Sequence, residues 1–85
     1  MSALQVYLVH KNRLRVIFGS PALRLESAYD RQTLANEIDS ELGSKNLTLN
    51  GQMSRETVKT LREHLNAAAR ELKAIDPAVK MSEVA

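Results

Sequence analysis

Residues 54–75 have the sequence SRETVKTLREHLNAAARELKAI, the longest amphipathic stretch of the chain and the one on which its fold depends. The stretch lacks glycine and proline, and its apolar residues recur at steps of three and four, as on one face of an α-helix. This apolar stripe consists of Val58, Leu61, Leu65, Ala68, Leu72 and Ile75. Ser54 is a favourable N-cap, and Pro77 ends the helix at or before Asp76. The pattern predicts a long helix with one buried face.

Positive charge is concentrated beside this apolar stripe. At about 100° per residue, five cations fall within an arc of about 80° and extend for about 27 Å along the helix. This basic stripe contains Arg55, Lys59, Arg62, Arg70 and Lys73, with Asn66 in the same arc. Its length matches that of several consecutive phosphates of duplex DNA, so the stripe could contact a DNA backbone. An acidic protein surface could also bind this row of cations. The remaining alternative is a solvated helix face whose cations lie along the edge of the core.

The first 26 residues contain three short runs that favour β-structure. Residues 4–9 and 13–18 are rich in β-branched and apolar residues, and the polar residues 10–12 between them suit a turn. Residues 22–26 alternate apolar and charged side chains. The pattern predicts a hairpin and a third strand, with one face buried and the other open to water. The open face would display Arg13, Arg15 and Arg24 as a second basic surface.

The complete predicted fold is an α+β domain. A helix capped by Ser27 or Asp30 runs to about Leu42, and Gly43 ends it. Residues 45–52 leave room for a fourth strand. We therefore expect a small antiparallel sheet of three or four strands with two α-helices packed on one face. Residues 1–76 form this single β-β-β-α-α domain, and residues 77–85 form a flexible C-terminal tail.

The predicted order of three strands followed by a helix, with RLRVIF as the second strand, resembles the arm-type DNA-binding module of tyrosine recombinases. The resemblance covers at most residues 4–42 and includes no diagnostic motif. A small β-ribbon can enter the major groove, so the resemblance implies DNA contact through the strand arginines.

Composition narrows the classes of function. The 85 residues include no cysteine, and the net charge is only +2, although residues 1–25 hold four cations and no acid. No signal peptide or membrane span is visible, so we expect a cytoplasmic protein. Aromatic residues are scarce, which disfavours single-stranded nucleic-acid binding through stacking of bases. His10 and His64 are isolated in the sequence, and it contains no glycine-rich phosphate loop. We therefore expect that the protein is not an enzyme and binds no metal or cofactor.

These observations support two hypotheses. The first is a small non-enzymatic, DNA-associated accessory or regulatory factor that contacts duplex phosphates through the basic stripe. The alternative is a protein-interaction module, an adaptor or small inhibitor that docks on an acidic surface of a larger protein complex. The partner is an anionic macromolecule in both. The step of three and four in the apolar stripe also leaves room for a homodimer formed by helix pairing.

Overall fold

Three α-helices form the described part of the chain. The computed structural model describes residues 1–43 and 54–82. Helix α1 is Ala3–Ile17, α2 is Ala28–Gly43 and α3 is Arg55–Ile75. These residues contain no strand. The predicted α+β fold, with its three-stranded sheet, is therefore wrong, because the described chain is a small all-helical domain.

Helix α1 replaces the predicted hairpin because its N-terminus is capped and nothing interrupts it. The Ser2 hydroxyl accepts from the Gln5 backbone N–H at 3.2 Å, and the Gln5 side chain accepts from the Ser2 backbone N–H at 3.0 Å. This capping box satisfies backbone donors that a helix start leaves free. Neither glycine nor proline occurs before Gly19. The β-branched residues only weakly disfavour a helix, and the burial of Leu4 and Tyr7 on one side outweighs that preference.

Helix α1 ends in a Schellman motif at Gly19. The Gly19 N–H donates to the Val16 carbonyl at 3.0 Å, and the Ser20 N–H donates to the Arg15 carbonyl at 2.7 Å. Gly19 has a φ of +78°, a left-handed conformation that glycine adopts without steric cost. Gly19 directly follows the predicted second strand at residues 13–18, so this segment does end there, but as a helix.

Residues 22–26, predicted as a third strand, form a loop. The Asn12 side chain replaces the missing neighbouring strand: its Nδ2 donates to the Leu23 carbonyl at 3.0 Å, and its Oδ1 accepts from the Leu23 N–H at 2.7 Å. Arg31 donates to the Leu25 carbonyl at 2.7 Å. Side chains of helices therefore satisfy the loop backbone. The resemblance to the recombinase module no longer holds, since it depended on the strands.

The two predicted helices are confirmed. At the start of α2, the Ser27 hydroxyl accepts from the Asp30 N–H at 3.2 Å, and the helix ends at Gly43. At the start of α3, the Ser54 hydroxyl accepts from the Thr57 N–H at 3.1 Å. Helix α3 ends at Ile75, before Pro77. The fourth strand considered for residues 45–52 lies outside the described residues.

Helix α3 is central to the packing, because it contacts both α1 and α2. Fully buried Ala68 and Ala69 keep its core side small, which permits close approach of the neighbouring helices. The largest fully buried side chains are Leu4, Leu34, Ile38, Leu65 and Leu72. The apolar stripe of α3 is thus used within the chain, except for Ile75 at its end, which is exposed.

Residues 77–82, for which the sequence suggests a loose tail, pack back on the helices. Val79 is buried, and its carbonyl accepts from the Lys73 ammonium at 2.5 Å. The Gln32 side chain pairs with both backbone polar groups of Lys80, at 3.0 and 3.1 Å. This segment therefore contributes to the core. Residues 83–85 lie outside the described part.

Candidate interaction surfaces

The inner side of α1 forms a polar seam with α2. Lys11 Nζ lies 3.3 Å from a carboxylate oxygen of Glu41 and 5.5 Å from the centre of the Tyr7 ring. The Tyr7 hydroxyl donates to the same Glu41 carboxylate. Burial, reinforced by Glu41 and then by Glu37, raises the pKa of Tyr7 far above its usual range. Tyr7 therefore stays protonated and acts as a hydrogen-bond donor within the fold.

The three arginines predicted to share that open face have separate environments. Arg15 is half-buried, with its guanidinium 3.7 Å from Glu37 and its Nε donating to the Pro21 carbonyl at 2.8 Å. Arg24 forms an exposed pair with Glu26 at 3.6 Å, a contact of little energetic weight. Arg13 is exposed and has no ion pair among the described residues. Of the three, Arg13 is therefore the most available to a partner.

Arg13 lies within an apolar surface that the sequence analysis missed. We define the outer face of α1 as Val6, Val9, Arg13, Val16 and Ile17. The four aliphatic side chains are 43, 42, 63 and 74% exposed, respectively. Helix α1 is thus apolar on two sides, one packed in the core and one open. The signal was present in the sequence, since positions 6, 9, 13 and 16 follow helical steps of three and four, but it is recognisable only once residues 4–17 are taken as a helix.

Two of the five cations of the basic stripe are engaged within the fold. Arg62 is half-buried, and its Nη1 donates to the Leu42 carbonyl at 2.9 Å. Lys73 donates to the Val79 carbonyl, as described above. Both side chains donate hydrogen bonds to backbone carbonyl oxygens of neighbouring segments. For these two positions the structure provides an internal role.

The rest of the stripe is open to solvent. Arg55, Lys59 and Arg70 are exposed and form no ion pair within the described part of the chain, whereas Asn66 is half-buried. The predicted row of five cations is thus reduced to three, with a longer gap between Lys59 and Arg70.

One well-formed ion pair was not anticipated. Arg31 Nε lies 2.7 Å from the carboxylate of Asp76, and both side chains are largely shielded from water. The hydrogen bond from Arg31, followed by that from the Ala78 N–H, lowers the pKa of Asp76. Arg31, near the start of α2, also donates to the Leu25 carbonyl, so it joins the loop before α2 to the end of α3. We infer an architectural role, and no local motif in the sequence indicates this pairing.

Within the described residues, no group of three or more potential ligand side chains is placed to bind a metal ion. His10 is exposed on α1 and His64 is half-buried on α3. None of the three helices combines the length and the hydropathy that a membrane span requires.

Comparisons with known proteins add no relative. The chain matches no protein-family model, no curated protein and no solved structure. Two of its described surfaces are open to a partner: the outer face of α1 and the exposed cations Arg55, Lys59 and Arg70 of α3.

Proposed function

We propose that this chain is a small, non-enzymatic protein-interaction module that acts in the cytoplasm and docks on an acidic surface of a larger protein through the outer face of α1. The observation that carries the proposal is the set of four exposed aliphatic side chains around Arg13, which forms no ion pair with the described residues. The module acts as an adaptor or a small inhibitor, and its candidate surface offers the apolar and cationic groups that such docking uses.

The physical support comes from the cost of leaving this face in water. Contiguous exposed apolar surface is uncommon on monomeric proteins and often marks an interaction site. Burial of such surface contributes about 25 cal/mol per Å² removed from water. Arginine at the centre of an apolar patch is a frequent source of interface affinity. The outer face of α1 combines both features on one rigid helix.

A pull-down with matched variants tests the proposal. Val9→Asp places a charge in the middle of the outer face, whereas Ala74→Asp places the same charge on an exposed position of α3. After nuclease treatment, we expect the wild type and Ala74→Asp to retain one stoichiometric protein and Val9→Asp to lose it. Both variants should show wild-type helicity by circular dichroism. Retention of the partner by a folded Val9→Asp protein would exclude docking through this face.

Duplex DNA binding is the second candidate function. It is supported by exposed Arg55, Lys59 and Arg70, which are free of internal ion pairs in the described chain. Three phosphate contacts correspond to a fall of log K of about 2.7 per tenfold rise in salt.

A mobility-shift titration across salt concentrations tests this second candidate. The triple variant Arg55→Glu, Lys59→Glu, Arg70→Glu should abolish duplex binding, and Lys80→Glu, an exposed charge reversal outside the stripe, should preserve most of it. Absence of binding by the wild type at low salt, or unchanged binding by the triple variant, would reject the DNA role.

A further inference from the structure

The outer face of α1 contains two shallow depressions whose outlines have helical spacing. The smaller one, about 260 Å³, is lined by Val6, Val9, His10 and Arg13, with Met1 at its end. The larger one, about 530 Å³, is lined by Val9, Asn12, Arg13 and Val16, with Ile17 beside it. Each set of four residues stands at positions i, i+3, i+4 and i+7. This is the outline of the hole that receives one side chain from a neighbouring helix in knobs-into-holes packing.

The distance between the two holes favours a helix as the occupant. They are offset by three residues, which corresponds to about 4.5 Å along α1. Successive side chains on one face of a helix advance by three or four residues and match that offset. Side chains on one face of an extended strand are separated by about 6.6 Å and do not match it. A partner helix can therefore fill both holes with apolar side chains from one stripe.

The charge of the face determines the character of that helix. Arg13 lines both holes, and α1 contains no acid. Lys11 and Arg15 are already held by Glu41 and Glu37 of α2. Covering Arg13 with a purely apolar helix would bury an uncompensated charge, which is strongly unfavourable. A carboxylate from the partner relieves this cost and can bind the guanidinium with two hydrogen bonds.

A second copy of the chain that pairs through its own α1 lacks the required carboxylate. Parallel pairing of two α1 helices places Arg13 opposite its own equivalent, and antiparallel pairing about the centre of the face leaves the two guanidiniums within about one turn. No acid of α1 is present to neutralise either arrangement. Residues 44–53 of the same chain also contain no acid. Charge complementarity therefore disfavours a symmetric dimer through the outer faces of two α1 helices and favours an acidic helix of another protein.

We infer that the outer face of α1 binds an amphipathic α-helix of an acidic partner protein, with two apolar side chains in the holes and a carboxylate against Arg13. The inference rests on the proposed function and adds the secondary structure and charge of the partner segment.

Selection from a display library tests it. The probes are 21-residue helix-forming peptides with an apolar stripe at steps of three and four and with Glu, Gln or Lys randomised at the flanking positions. Selection uses the wild-type protein, with counter-selection on Val9→Asp. We expect enrichment of Glu beside the apolar stripe. The selected peptide should bind Arg13→Glu about tenfold more weakly, and a Glu→Lys peptide should regain affinity for that variant. Arg24→Glu, the same charge reversal outside the face, should bind the selected peptide as the wild type does.

Four outcomes would overturn the inference. In the selection, these are peptides that are not enriched on the wild type relative to Val9→Asp, and enriched peptides that show no preference for Glu. The other two are a wild-type dimer in sedimentation, and binding of the wild type to phosphatidylserine vesicles, if Val9→Asp abolishes either one. The pull-down distinguishes failure of the acidic-helix inference from failure of the proposed docking function. A partner lost only by Val9→Asp would uphold docking through the outer face even if no acidic helix were selected.

Discussion

Arg62 on α3 donates from Nη1 to the carbonyl oxygen of Leu42, 2.9 Å away in the last turn of α2. Helix α2 has no basic residue of its own in that turn. A cation there satisfies a free carbonyl and opposes the negative end of the helix dipole. One member of the basic stripe thus stabilises a neighbouring helix, which charge spacing along α3 could not reveal.

This contact predicts different effects for two arginines of the same stripe. Arg62→Gln should lower the free energy of unfolding by about 1–2 kcal/mol, since it removes a charge-assisted hydrogen bond. Arg70→Gln, at an exposed position, should change it by less than about 0.5 kcal/mol. Urea denaturation followed by circular dichroism measures both. Equal losses would show that Arg62 has no special structural role.

The burial pattern of α1 predicts that Leu4 and Val6 behave differently. Leu4 is 1% exposed and Val6 is 43% exposed. Leu4→Ala should lower the free energy of unfolding by about 2–5 kcal/mol, because it removes packed atoms from the core. Val6→Ala should cost less than about 1 kcal/mol, since alanine also has the better helix propensity. Side chains two residues apart lie on the same face of a strand, so similar losses would contradict the helix and its burial pattern.

The side chain of Asn12 predicts a local loss of protection around Leu23. Asn12→Leu should lower the free energy of unfolding by about 1–3 kcal/mol, because the Leu23 N–H and carbonyl lose their partners. The Leu23 amide should also exchange faster with solvent, as measured by NMR hydrogen exchange. Asn36→Leu is the matched control, since Asn36 is exposed on α2 and its side chain accepts a hydrogen bond from Gln32 of the same helix. An unchanged Leu23 exchange rate would contradict the role of Asn12 as the partner of the Leu23 backbone.

The Arg31–Asp76 pair predicts a dependence of stability on acid. The pKa of Asp76 is lowered in the fold from its ordinary value of 3.8, chiefly by Arg31. The resulting stabilisation is fully present above that ordinary value and is lost as the pH falls through the lower folded-state pKa. Urea denaturation between pH 7 and pH 2.5 should therefore show wild type more stable than Asp76→Asn at neutral pH, with the difference shrinking in acid. A difference that does not vary with pH would exclude this linkage.

The success of sequence interpretation differed between the helices for a physical reason. Helices α2 and α3 have one apolar face each, together with good N-caps at Ser27 and Ser54, so periodicity and capping agreed. Helix α1 has apolar side chains on two sides, which blurs the helical period and leaves alternating segments that resemble strands. Ser2 and Gln5 have the spacing of a capping box, which indicates the start of a helix. In the structure this helix forms despite the β-propensity of the residues that follow.

The sequence alone determined local features of this protein: the caps and ends of α2 and α3, the break at Gly19, and the concentration of cations beside one apolar stripe. These depend on residues close together in the chain. Tertiary structure decided which charges remain available. Arg62, Lys73 and Arg15 are engaged by Leu42, Val79 and Glu37, whereas Arg13 stays exposed among aliphatic side chains. A side chain's partner depends on which segments packing brings beside it, and spacing within one helix carries no information about those neighbours.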